Sequence, residues 1–145
     1  MKKIIFGLTC CVVLLGCIDP PNYSTTPKLE YRSIDKMLVD ELVEELNITF
    51  YFEDGDGDIG LTEQDTFNNL FLIDSRTGFP VDFRVPNIPP NGGVADIRGT
   101  IVLTKSDVNC IGTIADTLTY DIYMIDKAGN QSNVITTDTV VVNCM

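Results

Sequence analysis

The chain has 145 residues, 21 of them Asp or Glu against ten Lys or Arg, for a formal net charge of −11 at pH 7. So acidic a surface repels phosphate backbones, which excludes nucleic acid as a partner. Without histidine, no activated nucleophile is identifiable, so the composition argues against an enzyme. Residues 1–16, MKKIIFGLTCCVVLLG, join Lys2 and Lys3 to an apolar run too short to span a bilayer, the pattern of a signal peptide.

That run ends in Leu14-Leu15-Gly16-Cys17, a tetrad that resembles the lipobox of bacterial lipoproteins. The resemblance implies cleavage just before Cys17, acylation of Cys17, and a protein of the bacterial cell envelope held by lipid, at the outer membrane on its periplasmic or surface face. A plain secretory peptide with a chance cysteine is the alternative. Each buried acyl methylene adds about 0.8 kcal/mol, so several chains would hold a soluble domain firmly at the membrane. The mature chain would then be 129 residues, the full length less the first sixteen, enough for one domain with a sizeable core. Losing Lys2 and Lys3 leaves eight basic residues against 21 acidic ones, a net charge of −13. Residues 17–28 contain IDPPNYSTTP, rich in Pro, Ser and Thr, and read as a flexible tether.

From residue 29 to residue 145 the chain shows short period-two runs separated by Gly, Pro, Asp or Asn, the signature of an all-β domain of about seven strands. LEYRSI (29–34) reads as an edge strand. MLVDELVEEL (37–46) is ambiguous, because Leu38, Leu42 and Leu46 recur at helical spacing between extended flanks. NITFYFE (47–53) turns Ile48, Phe50 and Phe52 inward. NLFLID (69–74) and FPVDFRV (79–85), joined by SRTG, are predicted to form a hairpin. PNIPPNGG (86–93) is a connection, and VADIRGTIVLT (94–104) resumes the strand pattern, with Gly99 marking a bulge or close packing. TLTYDIYMID (117–126) faces Leu118, Tyr120, Ile122 and Met124 to one side, and VITTDTVVVNC (134–144) closes the chain. Of the five cysteines, Cys10 and Cys11 leave with the leader and Cys17 would carry lipid. Cys110 and Cys144 remain, a candidate disulfide in an exported chain, with two unpaired thiols as the alternative.

The pattern Tyr120-x-Ile122-x-Met124-x-Asp126-x-x-Gly129-Asn130-x-Ser132 resembles the last hairpin of bacterial immunoglobulin-like and fibronectin-type-III-like domains. Together with FEDGDGDIGL (52–61) it is also similar to small Bacteroidota envelope lipoproteins. The resemblance implies a single immunoglobulin-like antiparallel β-sandwich, non-catalytic, suited to adhesion or recognition of a protein or glycan; the alternative is a structural or accessory subunit of an outer-membrane complex with no ligand of its own. In that topology the loop at 53–66 and the loop at 126–133 lie at the same end. They should meet, bringing Asp126 and Asn130 close to Asp54, Asp56 and Asp58.

Three aspartates spaced by single glycines repel one another, and a hard cation relieves the repulsion. Calcium takes six to eight oxygens, and glycines let the chain wrap around it. Asp54, Asp56 and Asp58 match the first ligand positions of an EF-hand loop, with Thr62 and Asp65 at later ones. Ile59 occupies the position that must be glycine, and no flanking helices are evident, so an EF-hand is rejected. What stays is a Ca2+ site of sandwich-loop type, formed by Asp54, Asp56, Asp58, Asp126 and Asn130, with a solvated Asp-Gly turn as the alternative.

Overall fold

A computed structural model describes residues 23–88, 96–112 and 114–144. The expected signal peptide, Cys17, the first part of the expected tether and much of the 86–93 connection lie outside the described residues. Among those described, the fold is all-β: β1 (Lys28–Ile34), β2 (Leu38–Asp40), β3 (Leu46–Asp54), β4 (Leu70–Asp74), β5 (Pro80–Phe83), β6 (Ile97–Lys105), β7 (Ala115–Leu118), β8 (Tyr120–Met124), β9 (Ile135–Thr136) and β10 (Val140–Asn143).

One sheet has the order β1-β3-β6, all antiparallel. A second runs β5-β4-β8-β9, and a third β2-β10-β7. Only Thr119 separates β7 from β8, and three residues separate β9 from β10, so these two sheets continue one another as a single layer. The break is a bulge. From Leu118 to Asp121 the chain advances three positions while the facing strands, from Val140 back to Thr136, advance four. Thr137 fills it, accepting the Tyr120 N–H on its hydroxyl at 3.0 Å and donating its own N–H to the Tyr120 carbonyl at 2.9 Å.

The alternation predicted for β3 is present: Ile48, Phe50 and Phe52 are buried. They meet Leu72, Tyr120, Ile122, Met124, Val140 and Val142 of the other layer in one continuous core. Removing a side chain of that size from water contributes roughly 1.5–3 kcal/mol, which makes this two-sided packing the main force holding the layers together. The predicted hairpin is also there, with Leu70 opposite Phe83. At Gly99 the ladder runs without a bulge, and the glycine serves close packing: a Cβ there would stand 3.2 Å from the Phe52 ring.

The ambiguous stretch resolves as β2 followed by a turn. β2 pairs in parallel with β10, so pairing to the far end of the chain overrides the helical spacing of the leucines. Val39 is buried, whereas Leu38 and Leu42 are exposed. Cys110 and Cys144 are joined by a disulfide, with Cα atoms 5.6 Å apart, at the end of the molecule where β10 finishes and β7 starts.

Candidate metal centre

At the opposite end, β3 finishes on Asp54 and β8 finishes just before Asp126, and the loops that follow them converge. The first loop turns sharply at Gly57, whose φ of 70° lies in the left-handed region that glycine adopts at no steric cost. It then dives back into the core: Ile59, Gly60 and Leu61 are all buried. Asn69 fixes that descent. Its amide nitrogen donates to the Ile59 carbonyl at 2.5 Å, and its amide oxygen accepts the Val85 N–H at 3.0 Å. Its backbone joins the same knot, with Asn69 N–H donating to Phe83 and Ile125 N–H donating to Asn69.

The second loop is set by a local turn. Asp126 is buried, and its two carboxylate oxygens accept from the backbone N–H of Asn130 at 2.7 Å and from the Asn130 side-chain amide at 2.8 Å. Across the gap, Ala128 N–H donates to Asp58 Oδ2 at 3.1 Å, which ties the two loops together directly.

Asp54, Asp56, Asp58 and Asp126 each bring a carboxylate oxygen into a group whose members all lie within 4.8 Å of one another. Asp54 is wholly buried, Asp126 nearly so, Asp58 half-buried, and Asp56 open to solvent. Asp54 Oδ2 accepts the Ile59 N–H at 3.2 Å, but Oδ1 of Asp54 and Oδ1 of Asp58 are buried with no hydrogen-bond donor among the described residues. A buried carboxylate oxygen without a donor is costly, and a cation is what would satisfy it. Burial, and after it the charges of Asp56 and Asp58, push the Asp54 carboxyl up to about 7. Burial, then Asp126 and Asp56, raise Asp58 as well.

Four of the five residues expected at the site therefore come together. Asn130 does something different: it turns its amide nitrogen to Asp126 and orients that carboxylate. Asp65 stays apart, accepting the Thr62 N–H and hydroxyl at 2.7 and 2.9 Å, and those bonds hold its carboxyl below the usual range. Asn69, on which the loop geometry hangs, carries no sequence signal beyond its place just before a strand. The chain matches no protein-family model and no curated protein.

Two other groupings carry less chemistry. Asp116 lies near Cys110 and Cys144, but sulfurs tied in a disulfide offer no thiolate to a metal. A cavity of about 370 Å3 beside the disulfide end is lined by Asp74, Arg76, Phe79, Val81, Lys105 and Tyr120, among others. Its charges are already matched: Arg76 pairs with Asp74 at 2.6 Å and Asp116 at 3.0 Å, and Lys105 pairs with Asp107. Tyr120 is core, as its inward position predicts, and burial pushes its phenol up to about 12.

Proposed function

We propose that this is a lipid-anchored, non-catalytic domain of the bacterial cell envelope, stabilised by calcium at one end and built for adhesion or recognition of a protein or glycan. The observation that carries the calcium assignment is the wholly buried Asp54, whose unpartnered Oδ1 sits among three other carboxylates. Oxygens on opposite sides of one calcium ion stand about 4.6–5.2 Å apart, so a single ion fits within the span of the four side chains. The donor set is all oxygen and overcharged for one divalent ion, which suits a hard cation. Magnesium fits less well because it demands strict octahedral geometry and sheds water reluctantly.

An immunoglobulin-type identity is supported by the strand order. The order β1-β3-β6 parallels A-B-E, and the order β5-β4-β8-β9 parallels C′-C-F-G. Lipidation at Cys17 rests on the lipobox resemblance, and the recognition role on analogy with such domains.

Calorimetric calcium titration with thermal melting tests the site, beside an Asp54→Ala, Asp56→Ala double variant. The expected dissociation constant is on the order of 0.1–1 mM. Calcium at ten times that constant should stabilise the wild type by roughly 1.4 kcal/mol, and the variant not at all. Turnover on a glycan or peptide panel that is lost on substituting Asp54 or Asp58 would overturn the non-catalytic reading.

An accessory role in an outer-membrane complex is favoured by a separate observation. Leu42, Val43, Ile111 and Ile114 are each more than half exposed around the disulfide end. Their loops are joined there by Leu42 N–H to Val108 and Cys144 N–H to Ile114. Large apolar side chains gathered so suit a protein partner.

A further inference from the structure

The polypeptide enters the sandwich at the carboxylate end, and it touches the acidic loop as it does so. Gly55, between Asp54 and Asp56, donates its N–H to the Ser24 carbonyl at 2.8 Å. A Cβ on residue 55 would stand 2.3 Å from the Tyr23 carbonyl oxygen, an approach only glycine permits. Tyr23 is held from its other side: the Arg98 guanidinium lies 5.4 Å from the centre of its ring and donates to its hydroxyl. Pro27, just before β1, is buried. The residues expected to be the last part of a free tether are thus packed onto the domain.

We infer that the cation fastens this N-terminal segment, so that filling the carboxylate cluster docks Tyr23 and Ser24 and emptying it releases them; the inference rests on the proposed calcium site. Gly55 lies between two ligand residues, so the direction of its N–H follows the placement of both carboxylates. Without an ion, Asp54, Asp56, Asp58 and Asp126 repel at short range, and the loop carrying Gly55 is what must give. With the ion bound, the same loop presents a fixed donor to Ser24. The coupling is reciprocal: whatever docks the segment also tightens the ion.

Docking changes the reach of the chain. From Cys17 to Tyr23 there are six residues, at most about 20 Å of extended backbone, whereas from Cys17 to the start of β1 at Lys28 there are eleven, about 38 Å. Ion occupancy therefore sets how far the domain stands from whatever holds Cys17, and turns the carboxylate end toward it.

Hydrogen exchange of the purified protein with calcium chloride alone, paired with calorimetry on the same samples, tests this. Calcium at about 5 mM should slow exchange at the Gly55 amide and across residues 23–26 by about tenfold, and Asp58→Asn should abolish the effect. Gly55→Ala, which evicts Tyr23 by backbone contact, should free the segment and weaken calcium about fivefold through the reciprocal coupling. Should that variant fail to fold, Tyr23→Ala weakens the same docking from the tether side, and the same two readouts apply. Calcium binding without any change in exchange, or a freed segment with affinity unchanged, would overturn the clamp while leaving the ion site standing. Absence of calcium binding at about 10 mM would bring down the ion site and the clamp with it.

Discussion

Asp54 is where the chemistry of this molecule is most exposed to test. An aspartate in an unfolded chain titrates near about 3.9. In the fold Asp54 does so at about 7, so the folded state binds this proton more tightly. The sign follows: with calcium removed, stability falls as pH rises through the interval between those two values. Asp58 is shifted in the same direction and adds to the slope. Carboxyls held low, such as Asp65 and Asp116, titrate below this window and leave it undisturbed. Denaturant melts in a chelator should show the protein less stable at pH 8 than at pH 5, by roughly 2–3 kcal/mol. Asp54→Asn should flatten that difference, and saturating calcium should erase it in the wild type.

At the scale of elements, the loops are held by Asn69 more than by any carboxylate. Asn69→Ala leaves the Ile59 carbonyl and the Val85 N–H buried and unpaired, which should cost about 2–4 kcal/mol in a denaturant titration. Calcium affinity should fall with it, since Ile59 N–H is what aligns Asp54. The strands themselves were legible in the sequence, because Ile48, Phe50 and Phe52, and Tyr120, Ile122 and Met124, alternate at the period a half-buried strand requires. The meeting of Asp126 with the DGDGD loop was legible as well, given the topology that the last hairpin resembles. Asn69 was not, because a side chain that satisfies backbone groups of two separate segments leaves no periodicity and no spacing. Nor was β2, whose partner lies a hundred residues away at Val141 to Asn143. The break at Thr119 leaves no mark in the sequence for a related reason: the bulge belongs to the facing strand, at Thr137.

Taken whole, the molecule has two unlike ends. One carries the carboxylates and the incoming chain, and the other carries the disulfide, the charge-matched cavity and the exposed isoleucines. Cys110 and Cys144 are 34 positions apart, and closing a loop of that size restricts the unfolded chain by up to about 4 kcal/mol. A Cys110→Ser, Cys144→Ser double variant should therefore unfold at lower denaturant with calcium affinity unchanged, because the two ends share no residue. The pairing of β1 has a mechanical side. Lys28 lies opposite Glu53 and Ile34 opposite Ile48, so β1 runs into the body from the carboxylate end along its whole length. A pull on the chain at residue 23, resisted by a partner gripping the disulfide end, drags β1 parallel to its own axis. Its ladder bonds stand across that direction and take the load together, in shear, instead of parting one at a time. A domain strung this way yields late under tension, and its first strand is built as a tie rod.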